Sequence, residues 1–129
     1  MTKWEALRER YLRDPLPVRL GGLAANLARM GSFSDNPAHA RVVAGMIEES
    51  KWFIEWTAPE AAPETQALLA EYQRQLARWH LAWDRIWRDA ERRGEVGELA
   101  RLWSRRLLEV SGLLGDTHQG DAGQGGPTA

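Results

Sequence analysis

The most regular hydrophobic pattern in the chain lies within residues 64–93. Its apolar residues recur at spacings of three and four, so they share one arc when each residue turns by about 100°. Four large aromatic residues lie on this arc: Tyr72, Trp79, Trp83 and Trp87. Most of the arginines and acids fall on the opposite side. The pattern predicts one long helix whose aromatic side is buried against a core.

Helical spacing also occurs in four other segments, residues 2–14, 17–30, 37–56 and 95–114. Pro15 and Pro17 separate the first two segments and predict a kink there. Asn36 precedes Pro37, an order typical of a helix N-cap followed by proline at the first helical position. Gly31 and Gly94 are each predicted to follow the last residue of a helix.

These elements predict an all-α protein, an antiparallel bundle of four main helices with a proline-kinked N-terminal segment. We assign residues 1–114 to a single domain, because a chain of 129 residues has the typical length of one domain. Residues 115–129 contain five glycines and no aliphatic residue larger than alanine. This tail is predicted to be disordered, because it cannot bury enough apolar surface to fold.

The amino-acid composition limits the partners and the cellular location that we expect for the protein. There are 17 basic and 18 acidic residues, a balance that disfavours a nucleic-acid or anionic-membrane partner. The absence of cysteine excludes disulfides and thiolate metal sites. The first 14 residues are charged throughout, unlike a signal peptide, and no apolar run approaches about 18 residues. A cytoplasmic protein without a membrane partner is therefore expected.

Glu49 and Arg106 are placed by helical periodicity among apolar residues. An isolated buried charge is costly, so such groups pair or change their protonation state. A structural ion pair between two helices would explain their positions, as would long side chains that reach water. The functional alternative is a carboxylate in a pocket.

His80 and Asp84 lie four residues apart at one edge of the aromatic side, where the aspartate could hold the imidazole. Such a pair occurs in acid–base sites and in metal sites. Helical di-iron proteins, however, use Glu-x-x-His on two helices, and this sequence has none. We therefore predict a structural histidine and neither a metal nor another cofactor. Any site is expected where His80, Glu49 and Arg106 meet.

Residues 37–56 have a wider apolar arc than one neighbouring helix can cover. Trp52 and Trp56 on this segment are the candidates for exposed contact residues, because tryptophan is enriched at interface centres. This surface predicts a protein partner or a homodimer.

Three runs resemble a small family of uncharacterised cyanobacterial helical proteins: IEESKWFIEWTAPE (47–60), DPLP (14–17) and LARWHLAWDRIW (76–87). The resemblance implies a cytoplasmic bacterial setting. It brings no catalytic motif, no cofactor and no role for any residue.

Three functions remain open from the sequence. The first is a non-enzymatic interaction or accessory protein that acts through Trp52 and Trp56. The second is a small-molecule or pigment binder that uses the tryptophans of residues 64–93 together with His80. The third is a small enzyme acting through Glu49 or His80, although the sequence leans away from an enzyme.

Overall fold

The computed structural model describes residues 1–112, and every regular element in them is helical. The α-helices are, in order, α1 (Lys3–Leu12), α2 (Leu16–Phe33), α3 (Ala40–Thr57), α4 (Pro63–Leu81), α5 (Trp83–Arg88) and α6 (Ala90–Ser111). Short 3-10 turns at Pro37–His39 and Ala58–Glu60 flank α3. The all-α class is confirmed. Residues 1–112 contain six α-helices, whereas the sequence predicted four main helices and a helical N-terminal segment. The predicted tail lies outside the described residues.

Proline and capping side chains set several helix starts as predicted. Pro15 is extended and precedes α2, with Pro17 in its first turn, so the N-terminal kink is confirmed. The Asn36 side chain accepts a hydrogen bond of 2.9 Å from the Ala38 backbone N–H. None of the described helices is long and apolar enough to cross a membrane.

The single helix predicted over residues 64–93 is wrong beyond Leu81. Ala82 leaves the helical conformation, with φ −105° and ψ 17°, and the next helix has six residues. Asp89 then starts α6, since its carboxylate accepts from the backbone N–H groups of Glu91 and Arg92 at 3.0 and 3.3 Å. Gly94 consequently lies inside α6 and ends no helix.

Two indole N–H groups account for the position of α5. Trp83 donates to the Ala40 carbonyl at 3.0 Å, and Trp87 donates to the Pro37 carbonyl at 2.7 Å. Both rings are buried, and a buried indole N–H needs an acceptor. After the break at Ala82, the two tryptophans thus bind the first residue of α3 and the 3-10 turn before it.

The aromatic side of α4 belongs to the core, as predicted. Tyr72 and Trp79 both stack on Trp103 of α6, with ring centroids 4.4 and 5.3 Å away. All three side chains are buried. Each such ring removes roughly 150–250 Å² from water, so α4 and α6 are joined through rings.

Two helices approach each other closely where α2 crosses α6. Gly31 was predicted to follow the end of a helix, but α2 continues through it to Phe33. A Cβ atom on Gly31 would lie 2.5 Å from Cγ of Arg101 and 3.2 Å from the Gly97 carbonyl oxygen. A side chain at position 31 would therefore displace the Arg101 side chain and press on the Gly97 carbonyl, so glycine suits this close packing.

Two side chains of α6 bind the backbone of α2 at this crossing. Arg101 Nη1 donates to the Gly31 carbonyl at 2.8 Å, and Ser104 Oγ donates to the Ala24 carbonyl at 2.7 Å. Ala24 and Ser104 are both buried. These hydrogen bonds give the Arg101 and Ser104 side chains partners inside a closely packed contact, where water could not supply them.

Buried hydrogen bonds hold α1 and the proline corner, the segment around Pro15 between α1 and α2, in place. The Tyr11 hydroxyl donates to the Arg19 carbonyl at 2.9 Å and shares a hydrogen bond of 2.8 Å with the Thr57 hydroxyl. Arg19, whose side chain is 5% exposed, donates to both carboxylate oxygens of Glu60 at 2.9 Å. Its Nε donates to the Asp14 carbonyl at 3.0 Å. Burial raises the pKa of Tyr11 to about 12.

We expect Gly31→Ala to lower the free energy of unfolding by about 1–3 kcal/mol, because the added methyl group forces α2 and α6 apart. Gly94→Ala is the control, since no described atom lies within 4 Å of the added methyl group. It should stabilise by about 0.5–1 kcal/mol through helix propensity. Urea unfolding followed by circular dichroism measures both, and equal effects would contradict the close crossing.

We expect Tyr11→Phe to cost about 1–2 kcal/mol at neutral pH, because two buried partners lose a hydrogen bond. The folded pKa of Tyr11 lies above the ordinary value of 10.0, so its contribution is complete below pH 10 and is lost as the pH rises toward about 12. Unfolding titrations across this range should therefore show a smaller alkaline loss for the variant. An unchanged alkaline slope would contradict this assignment.

Candidate functional site

Glu49, Arg106 and His80 do not meet in the structure. Glu49 is half-buried on α3, whereas Arg106 on α6 and His80 on α4 are exposed. Glu49 and Arg106 form no ion pair within residues 1–112. Of the explanations considered from the sequence, Arg106 fits a long side chain that reaches water. The expected polar site at their meeting point is therefore not formed.

Glu49 is instead held by Asn26 of α2. Asn26 Nδ2 donates to Glu49 Oε1 at 2.9 Å, and its Oδ1 accepts from Arg29 Nη2. Asn26 is 1% exposed, so its amide links two charged groups from inside the helix contact. Asn26 was not predicted as a functional residue, although its position between Leu23 and Met30 on an apolar helix side marks it as a buried polar group.

His80 and Asp84 are separated by the break at Ala82, so the spacing of four no longer places them together on one helix. Both side chains are exposed. His80 Nδ1 lies 3.4 Å from Nζ of Lys51 on α3. The Asp84 carboxylate forms no hydrogen bond or ion pair with any described residue. Among residues 1–112, no group of three or more histidine, aspartate or glutamate side chains could hold a metal ion.

A cleft between α3 and α4 brings together two residues that the sequence had singled out separately. His80 and Trp52 both line this cavity of about 340 Å³, which we call the α3–α4 cleft. Its remaining lining residues are polar or charged: Glu48, Lys51, Glu55 and Gln73. Two carboxylates and one ammonium group give it an acidic balance beside an indole.

Gln73 has an unused acceptor at this cleft. Its Nε2 donates to the Lys51 carbonyl at 3.1 Å and lies 3.4 Å from Glu55 Oε2. These two acceptors fix the amide orientation, because a flipped amide would set oxygen against oxygen. Its Oε1 is buried and has no partner among the described atoms. Such an atom costs roughly 1–3 kcal/mol of desolvation free energy, so it favours a hydrogen-bond donor.

The tryptophans of residues 64–93, which the sequence offered as contacts for a small molecule, are not exposed. Trp79, Trp83 and Trp87 are buried, and the indole N–H groups of the last two bind backbone carbonyls. His80 is exposed and faces Lys51 rather than these rings. The ligand side expected from the sequence is therefore part of the core.

Trp52, Phe53 and Trp56 are neighbouring aromatic residues in the C-terminal half of α3, which we call the aromatic row. Trp52 lies between Trp56 and Trp4 of α1, with ring centroids 5.7 and 5.8 Å away. Tyr11 stacks on Phe53 at 4.2 Å. Trp52 is 38% exposed, whereas Trp56 is half-buried. Of these two candidates for contact, Trp52 is the more accessible.

Comparison of the chain with protein-family models, with curated proteins and with solved structures gives no significant match. The function must therefore be inferred from the arrangement of the residues themselves.

We expect Trp52→Ala to cost only about 1 kcal/mol of stability, since the ring is partly in water and makes aromatic contacts on two sides. Trp79→Ala should cost about 3–5 kcal/mol, because it leaves a cavity beside Trp103. Denaturant unfolding of the two variants checks the difference. Similar losses would show that Trp52 is a core residue.

Proposed function

We propose that the protein is a non-enzymatic helical interaction protein whose contact surface is the outer face of α3. This face consists of the exposed residues Arg41, Val42, Gly45, Glu48, Trp52 and Glu55. One observation carries the proposal: of the seven tryptophans, all within the described residues, only Trp52 is exposed. The longer helices α2, α3, α4 and α6 would act as an antiparallel scaffold behind this face.

Tryptophan at the surface is favourable for binding. It offers a large apolar area and a donor group with little loss of conformational freedom, and it is enriched among interface hot spots. Val42, 47% exposed on the same face, adds apolar area. Charged residues surround both, as in an interface with an apolar centre and a polar rim.

Helix α1 supports Trp52 from one side. The Trp4 ring contacts it at 5.8 Å, and Trp56 contacts it along α3. These contacts restrict the indole before any partner arrives. A side chain ordered in advance loses less entropy on binding, so the aromatic row favours recognition through Trp52.

The other functions have less support. A ligand binder would have to use the α3–α4 cleft, because Trp79, Trp83 and Trp87 are buried. An enzyme would need its acid and base near each other, whereas Glu49 binds Asn26 and His80 faces Lys51. A cytoplasmic setting, expected from the sequence, is part of the same proposal.

Photo-crosslinking tests the contact surface. Benzoyl-phenylalanine in place of Val42 should give a covalent adduct of defined mass in cells, with this chain or with another protein. The same residue in place of Leu102 on α6, which is also 47% exposed, is the matched control and should give none. The adduct should decrease in a Trp52→Ala background. Equal adducts at the two positions, or no adduct from position 42, would overturn the proposal.

A further inference from the structure

Gly45 is a glycine that packing among residues 1–112 does not require. It lies in the N-terminal half of α3 on its outer face, and a Cβ atom there would have no described atom within 4 Å. Gly31 and Gly97, by contrast, touch each other's helices. Glycine inside a helix is less stable than alanine, because it loses more conformational freedom on folding. The uncovered glycine leaves room for a backbone that comes from outside the chain.

The charges around Gly45 are self-complementary. Arg41 precedes it by four residues, and Glu48 and Glu49 follow it by three and four. When two identical helices cross antiparallel about a two-fold axis, residues before the crossing point face residues after it. A crossing at Gly45 would therefore set Arg41 opposite Glu48, while Glu49 keeps its hydrogen bond to Asn26. The two-fold axis would repeat the contact between Arg41 and Glu48.

We infer that a second copy of this chain packs its α3 antiparallel across the first, with the two Gly45 residues at the crossing point. The inference rests on the proposed function, since it assigns an occupant to the outer face of α3. The contact is isologous, so one patch supplies both sides. The glycines permit close approach of the backbones, and the Arg41 contacts fix the direction and register.

The exposed tryptophan fits the same register. Trp52 follows Gly45 by seven residues, and Ala38 precedes it by seven. The indole would therefore lie against Ala38 in the 3-10 turn of the second copy, where the side chain is small and exposed. Two tryptophans, related by symmetry, would be covered at the ends of the contact.

Gly94 on α6 is equally uncovered but lacks these neighbours. Its closest exposed residues along the helix face are Glu91 and Glu98, so a two-fold crossing there would bring acids together. Exposed tryptophan is confined to α3 among the described residues. Gly94 is therefore the matched control for Gly45.

Sedimentation equilibrium of the full chain tests the inference. The wild type should approach twice its mass of 14.6 kDa as concentration rises. Gly45→Leu should weaken association at least about tenfold, because the leucine holds the two backbones apart. Gly94→Leu should leave association unchanged. Both variants should fold with equal or higher stability, since both leucines enter open helical positions.

Charge reversal tests the register separately. Arg41→Glu should weaken association, and the effect should grow at low salt because like charges then face each other. Adding Glu48→Arg to this variant should restore most of the loss. No restoration by the double variant would overturn the antiparallel register.

Two results would overturn the second copy as occupant. One is a 14.6 kDa monomer at millimolar concentration; the other is a dimer that Gly45→Leu does not weaken. If the chain stays monomeric while the crosslinker at position 42 captures a different protein, the interaction function stands and the homodimer is wrong. If position 42 gives no adduct either, both proposals fail.

Discussion

The close crossing of α2 and α6 is the contact on which the other helices depend. Gly31 and Gly97 let the two backbones touch, and side-chain hydrogen bonds from α6 to the carbonyls of α2 hold them there. With α6 fixed in this way, Trp103 presents its ring to the aromatic side of α4. Helix α3 then packs against both α2 and α4. A larger residue at the crossing would move each of these neighbours.

The exposed surface of α3 follows from this packing. Helices α2 and α4 cover two sides of α3. Helix α1 contacts the aromatic row in the C-terminal half of α3. The remaining side keeps Trp52 and Gly45 uncovered by the described residues. Four of the seven tryptophans are buried and two are half-buried, so the one exposed indole is a feature of this face of α3.

Buried polar groups are mostly satisfied one by one, which explains why the charges singled out by periodicity do not gather into a site. Asn26 binds Glu49, Arg19 binds Glu60, and Tyr11 binds the Arg19 carbonyl. Each pairing removes the penalty of burial locally. Three atoms are exceptions among the described side chains: His39 Nδ1, Ser50 Oγ and Gln73 Oε1. Of these three residues, Gln73 lines the cleft that Trp52 and His80 share.

The helical class, the break at Pro15, the Asn36 cap and the burial of the aromatic side could be predicted from the sequence, because these depend on spacings of a few residues. The break of α4 at Ala82 and the position of Gly31 inside a helix could not, because they depend on contacts between distant parts of the chain. The break depends on carbonyls that indoles reach 43 and 50 residues away, and the crossing on an arginine 70 residues away. The partners of Glu49 and His80 also depend on how the helices pack. Local periodicity predicts the helix face on which a side chain lies, but it does not predict which residue of another helix the side chain contacts.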